Sequence, residues 1–196
     1  MIKLYFEYFN IQIKSLLEYK KAFIFSLIGQ IFSSSFSILA IYFLFDKFGN
    51  IEGYTFTNIL ICFIVSFVGF SVSECFFRGF DQFEKMISNG EFDRILTRPQ
   101  GLIFQVLAGR IEFEKIGKAI AAFITLIVLL TLNNELLQID KIFTIIMMIC
   151  GTIVIYGSLF ILKGGITFFT IQSLEIMNIF TDGARDLTQY PLSIYH

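Results

Sequence analysis

The chain contains a run of 24 consecutive residues, 22–45, in which no side chain carries a charge. Coiled as an α-helix at about 1.5 Å per residue, this run is about 36 Å long, whereas the hydrocarbon core of a bilayer is about 30 Å thick. Four further apolar runs follow, at 54–77, 113–134, 142–162 and 166–181. Apolar runs of this length are typical of membrane-spanning helices. The sequence therefore predicts an all-α, polytopic membrane helical bundle with five spans.

Three of the five runs contain charged residues that affect how they can insert. Glu74 lies near the far end of the second run, and we expect it to extend toward the interface. The charge-free part of the third run, 119–134, is only about 24 Å long as a helix, so it spans only if Lys115 and Lys118 also extend toward the interface. The fifth run contains Glu175, and an acid near the centre of a span costs about 2.5–3.5 kcal/mol. We expect this last run to need neighbouring helices.

A charged segment, residues 78–118, separates the second run from the third and must face water. Gly90 predicts the end of one helix, because glycine adopts the left-handed conformation at little cost. Residues 91–97 predict a short second helix, and Arg98 ends it because the residue before Pro99 avoids the helical region. The apolar residues of this short helix are predicted to share one face, and they are Phe92, Ile95 and Leu96. The pattern indicates a compact helix–turn–helix segment at the membrane surface, residues 78–100, which we call the knob.

The N-terminal segment, residues 2–21, has polar residues at every third or fourth position with apolar residues between them. This spacing predicts an amphipathic helix that lies in the plane of the membrane interface. The alternative is an ordinary soluble core helix, but a continuous apolar run follows at once.

Lys and Arg are unevenly distributed among the segments that join the runs. If the N-terminus is cytoplasmic, twelve of the 15 Lys and Arg residues face the cytoplasm, including Lys163, which is predicted to form a tight turn with Gly164 and Gly165. The other three face outside, in 46–53, 133–141 and 182–196. The positive-inside rule therefore predicts a cytoplasmic N-terminus and a cytoplasmic region 78–112. We expect 182–196 to be an outer re-entrant or interfacial element, because its residues 189–195 are too apolar for an ordinary loop and too few to span.

The composition argues against metal, nucleic-acid and nucleotide chemistry on this chain. The net charge is −1, the single histidine is His196, and the three cysteines lack C-x-x-C spacing. Gly117-Lys118 is followed by Ala119 and is not preceded by the glycine of a phosphate-binding loop, so the chain has no such loop. We therefore expect no metal site, no cofactor and no catalytic residue on this chain.

Two short motifs resemble those of a known family. The loop pattern G-x-x-D-x-[IL]-L-x-R-P is matched by Gly90, Asp93, Ile95, Leu96, Arg98 and Pro99. A Tyr-Pro followed by a second Tyr is matched by Tyr190, Pro191 and Tyr195. With the order of predicted helices, these motifs resemble the permease subunit of type-2 ABC exporters, in the branch related to daunorubicin-resistance permeases.

The resemblance implies a function and a set of partners. The ATPase-coupling helix would comprise the loop-motif residues together with Phe92 and Arg94, and a separate ABC ATPase subunit would bind ATP and Mg. A second permease copy, or a paralogous permease, would complete a dimer in a bacterial-type cell (inner) membrane. Members of the family have a sixth span after the Tyr-Pro element, so we expect this chain to lack the last span.

Two other functions are compatible with the sequence. Gln30 and Ser34 lie in a small, polar stretch of the first run, which indicates either helix packing or, with Glu175, a substrate path. Glu175 could instead serve an ion-coupled carrier or a non-catalytic scaffold.

An intramembrane enzyme would have to use Glu74, Glu175 or Asp182, and the sequence offers no paired carboxylates to support it. The substrate cannot be read from the sequence.

Overall fold

The computed structural model describes residues 2–49, 53–170 and 174–190, and the described chain is almost entirely helical. Three short 3₁₀ helices occupy Arg78–Gln82, Phe113–Lys115 and Asn134–Leu137. The α-helices, in chain order, are α1 (Ile2–Glu18), α2 (Lys20–Phe48), α3 (Phe56–Phe77), α4 (Phe83–Ser88), α5 (Glu91–Leu96), α6 (Leu102–Gly109), α7 (Ile116–Leu132), α8 (Ile139–Phe169) and α9 (Leu174–Thr188).

Four helical segments of the described chain are long and apolar enough to cross a membrane, and they are Lys20–Lys47, Phe56–Ser88, Phe113–Leu132 and Ile139–Thr167. The prediction of an all-α polytopic bundle is confirmed. These segments correspond to the first four predicted spans, because long apolar runs with few charges fix the helices, although the ends of the helices differ from the predicted bounds.

The second of these segments forms the centre of the bundle. α3 packs against α7, α8 and α9, and its side chains at Ile59, Ile64 and Val68 are almost completely buried. The other three long segments keep many apolar side chains exposed, for example Phe25 and Phe36 of α2. An apolar surface of this extent on the outside of a bundle is what contact with lipid requires.

The predicted tight turn at Lys163-Gly164-Gly165 is wrong. α8 continues without interruption through these residues to Phe169, and Lys163 and Gly164 are both buried. A Cβ atom on Gly164 would lie 2.6 Å from Cδ1 of Phe80, so glycine here permits close packing of that ring and not a change of chain direction. Glycine pairs are ambiguous in sequence, because close helix packing and turns both select them.

The predicted fifth span, 166–181, is not one continuous helix. α8 ends at Phe169, Thr170 has an extended conformation, and α9 begins at Leu174. The number of candidate spans in the described chain is therefore four, not five.

The predicted outer element, 182–196, is described only as far as residue 190, and its outer position stays a prediction. Residues 182–188 belong to α9, and Ser66 Oγ donates a hydrogen bond of 2.8 Å to the Thr188 carbonyl. Ser66 lies at the middle of α3, so α9 runs along the bundle and its end reaches the middle of α3. Tyr190 packs against the core cluster around α3, whereas Pro191 and Tyr195 lie outside the described residues.

The N-terminal helix is amphipathic, as predicted, and packs on the end of the bundle. Phe9 meets the Phe113 ring edge-on with centroids 5.0 Å apart, while Phe6 and Ile11 are 60% and 64% exposed. One apolar side is thus packed on protein and another is free. The free side suits the membrane interface, and this interfacial position stays a prediction.

Candidate coupling site

The short helix α5 is formed as predicted, between a left-handed glycine and a proline. Gly90 has φ 72° and ψ 9°, the conformation that only glycine adopts at little cost. α5 then covers Glu91–Leu96, and the Thr97 hydroxyl donates to the Arg94 carbonyl over 2.9 Å at its end. Local residue choice is sufficient to specify this element.

The apolar residues of α5 do not form one exposed face, contrary to expectation. Phe92 is half-buried and meets the Phe83 ring edge-on at 5.4 Å, Ile95 is buried, and only Leu96 remains exposed, at 59%. The tight turn at Gly90 folds α5 back on α4, so two of the three residues pack on their own chain. The outer surface of α5 therefore consists of Leu96 flanked by charged side chains, which are Asp93, Arg94 and Arg98.

The end of α5 is fixed to the next helix by one side chain. Gln105 of α6 donates from Nε2 to the Ile95 carbonyl at 3.1 Å and to the Gln100 carbonyl at 2.8 Å. These two bonds hold the segment that contains Pro99 against α6. The knob is therefore not a loose loop, because α4 and α5 are packed together and held against α6.

A buried carboxylate lies where the knob joins the spans. Glu74 of α3 is only 2% exposed, contacts the Arg78 guanidinium directly, and accepts from Lys118 Nζ at 3.1 Å. Lys115 Nζ lies 3.6 Å from the same carboxylate. The prediction that these acidic and basic side chains extend separately toward the interface is wrong, because a buried charge is stabilised when opposite charges surround it.

A second buried ion pair extends this network to α8 and α9. Asp81 accepts from Arg78 Nε at 3.1 Å and pairs with Lys163 Nζ at 2.8 Å. Lys163 is 1% exposed and also donates to Asn178 Oδ1 at 2.6 Å. We call the connected side chains the ion network, and its members are Glu74, Arg78, Asp81, Lys115, Lys118, Lys163 and Asn178. It joins α3, α7, α8 and α9 at the end of the bundle that carries the knob.

Aromatic packing connects α5 to the ion network. Phe92 contacts Phe83, and the Phe83 ring lies 6.4 Å from the Phe80 ring. Phe80 and Phe83 are both buried, and Phe80 is the residue before Asp81 and packs on Gly164 of α8. A displacement of α5 would therefore act on α8 through contacts that are already close.

Sequence reasoning identified the knob but missed the ion network. A local signal existed, because Glu74 and Arg78 are four residues apart and Arg78 and Asp81 are three apart, which places each pair on one helical face. No local signal assigns Lys163 to Asp81, since these residues are far apart in sequence and meet only in the folded bundle.

The candidate substrate-path residues occupy different surroundings. Ser34 is buried and donates to the Gln30 carbonyl of its own helix at 2.7 Å, and a Cβ on Gly117 would lie 3.1 Å from Gln30 Cβ. These are contacts of helix packing between α2 and α7, and a transport role for the pair stays a prediction. Glu175 lies on α9, but its side chain is outside the described part of the chain. The carrier alternative that depends on Glu175 stays a hypothesis.

An all-α bundle with several helices that can cross a bilayer defines an integral, multi-pass membrane protein. A family model described as ABC-2 family transporter protein matches residues 31–196, which is most of the chain. The chain therefore belongs to this family and is a permease subunit, a membrane transport component, of an ABC transporter. No curated protein and no solved structure matches it.

Proposed function

We propose that this chain is the membrane subunit of a type-2 ABC exporter in the branch related to daunorubicin-resistance permeases, and that a separate ATPase docks on α5. The exposed surface of α5 supports this proposal, because it has an apolar residue, Leu96, between residues of both charges, Asp93 and Arg94. An exposed apolar residue ringed by polar groups is typical of a protein contact. The partner would hold the ATP and Mg.

The observation that carries the proposal is the continuous packing from α5 to the spans. A closing ATPase dimer can move membrane helices only through an element that does not yield. α5 meets this requirement, since Phe92 packs on Phe83, Gln105 holds the Ile95 carbonyl, and Asp81 pairs with Lys163 of α8. Force on the outer surface of α5 would reach α3 and α8 directly.

The orientation and assembly belong to the same proposal. The end of the bundle with the knob and α1 carries most of the Lys and Arg, which favours the cytoplasmic side. Lys163 and Arg185 are not in loops, yet omitting both leaves eleven basic residues inside against two outside. We propose a cytoplasmic N-terminus, a bacterial-type cell membrane, and a dimer with a second copy or a paralogous permease.

The docking of the ATPase is tested with Leu96→Asp in the full chain, co-expressed with an ABC ATPase that co-purifies with the unmodified chain. Burying an unpaired charge costs several kcal/mol, so we expect co-purification of the ATPase to be lost while the permease still inserts. Leu137→Asp is the matched control, because Leu137 is 47% exposed at the opposite end of the bundle. Retention of the ATPase by a correctly inserted Leu96→Asp protein would refute the docking surface.

A further inference from the structure

We propose that a cleft between α1, α5 and α6 binds the phosphate group of an anionic phospholipid. This proposal does not depend on the docking of the ATPase, although Arg94 and Arg98 border both the cleft and the proposed docking surface. The cleft has a volume of about 280 Å³, a little below the usual range for small-molecule sites and adequate for a lipid head group. Its charged lining residues are Arg94, Arg98, Arg110 and Glu91.

The charge of the cleft favours an anion. Three guanidinium groups face one carboxylate, and within the described chain none of the three arginines forms an ion pair. Each guanidinium offers a planar fork of donors that matches two phosphate oxygens. The lysines of the ion network, by contrast, already pair with the carboxylates of Glu74 and Asp81.

The cleft is held in shape by two glutamines. Gln12 of α1 donates from Nε2 to the Ala108 carbonyl at 2.6 Å and accepts from the Ile111 backbone N–H at 2.7 Å, so it fixes the chain on both sides of Arg110. A Cβ on Gly79 would lie 3.1 Å from the Arg110 carbonyl oxygen, which shows how closely this turn sits on the bundle. Gln105 fixes the other wall through the Ile95 carbonyl. Binding would therefore need little rearrangement of the backbone.

Two polar groups add to the site. Arg98 donates from Nη1 to the Tyr8 hydroxyl at 3.3 Å, which orients its guanidinium across the cleft toward α1. Gln105 Oε1 is buried at the cleft and has no hydrogen-bond partner in the described chain. A free acceptor favours a ligand that carries a hydroxyl as well as a phosphate, as a glycerol head group does.

The position of α1 favours a lipid over a soluble anion. Tyr8 lines the cleft, and the same helix exposes Phe6 and Ile11 to the surroundings. If these apolar side chains enter the membrane interface, the cleft opens at the level of the lipid phosphates. Anionic lipids of the cytoplasmic leaflet attract clustered basic residues at that level.

The test uses the purified full chain without any ATPase, incubated with equal amounts of phosphatidylglycerol and phosphatidylcholine, and native mass spectrometry of the lipid retained. We expect preferential retention of phosphatidylglycerol and a loss of about ten-fold in Arg110→Gln, the usual effect of removing one charge-assisted hydrogen bond. Arg110→Lys should restore retention only in part, because an ammonium lacks the planar fork. Arg110 is outside the proposed docking surface, so its result is independent of the ATPase.

The control is Lys85→Gln, which removes one positive charge from an exposed position of α4 that does not line the cleft. We expect it to retain phosphatidylglycerol as the wild type does. Thermal unfolding of each variant identifies any that fails to fold, and Arg98→Gln then replaces Arg110→Gln as the test.

Three outcomes would overturn the lipid site. Equal retention of the two lipids by the wild type would do so, as would undiminished preference in both arginine variants. Binding of inorganic phosphate with the same arginine dependence, but without preference for phosphatidylglycerol, would assign the cleft to a soluble phosphate.

Discussion

Lys163 Nζ lies 2.8 Å from Asp81 Oδ1, and this contact joins the far part of α8 to the turn that follows α3. Lys163 is 1% exposed, so its ammonium depends on Asp81 and on the side-chain amide oxygen of Asn178 for its stabilisation. Asp81 has a further partner, Arg78. Without Lys163, Asp81 would therefore keep a charged partner, whereas without Asp81 the Lys163 ammonium would have no carboxylate partner.

The first prediction follows from this difference between the charged partners of Asp81 and Lys163. Asp81→Asn leaves a buried ammonium without a carboxylate and should lower the free energy of unfolding by about 3–5 kcal/mol. Lys163→Met should cost less, about 1–3 kcal/mol, because Asp81 keeps Arg78. Thermal and denaturant unfolding in detergent measure both. The double variant should lose less than the sum of the single losses, whereas strict additivity would mean that the two side chains do not interact.

The second prediction concerns Glu74, which faces three cations. Glu74→Gln leaves Arg78, Lys115 and Lys118 close together without a carboxylate, so we expect a loss of several kcal/mol. Lys118→Met in the same chain should recover part of this loss, because it removes one of the repelling charges. Unfolding measurements compare the variants.

The matched control for Glu74 is Glu84→Gln, at a partly exposed position of α4 that forms no ion pair in the described chain. Its effect should remain within about 0.5 kcal/mol. A loss as large as that of Glu74→Gln would attribute the effect to net charge and not to the buried site.

The sequence alone predicts those features of this fold that depend on neighbouring residues. Long apolar runs with few charges predict the four long helices, and Gly90 with Pro99 predicts α5, because these signals act within a few residues. The burial of Ile95, the pairing of Lys163 and the return of α9 to Ser66 depend on contacts between distant segments. For the same reason, the sequence predicts a turn at Lys163 beside two glycines, whereas in the fold Lys163 forms a buried ion pair.

The third prediction is the topology of the bundle. Single cysteines at Asn10 and Gln100 should be protected from an impermeant thiol reagent in intact cells, and one at Gln138 should react. These single cysteines are introduced into a variant from which Cys62, Cys75 and Cys150 have been removed. Cys75 is replaced by alanine because it is buried. The physical basis is the excess of Lys and Arg at the end that carries α1 and the knob. Labelling of position 100 from outside would reverse the proposed orientation and remove the ATPase docking surface from the cytoplasm.

The last prediction separates a helix from a turn at residues 163–165. A Cβ on Gly164 would meet the buried Phe80 ring at 2.6 Å, whereas one on Gly165 would meet nothing within 4 Å. Gly164→Ala should therefore destabilise the bundle by about 1–3 kcal/mol through overpacking. Gly165→Ala should stabilise it by about 0.5–1 kcal/mol, because alanine loses less backbone entropy in a helix. Unfolding of the two variants side by side gives the sign of each effect, and destabilisation by Gly165→Ala would favour a turn in place of the continuous helix α8.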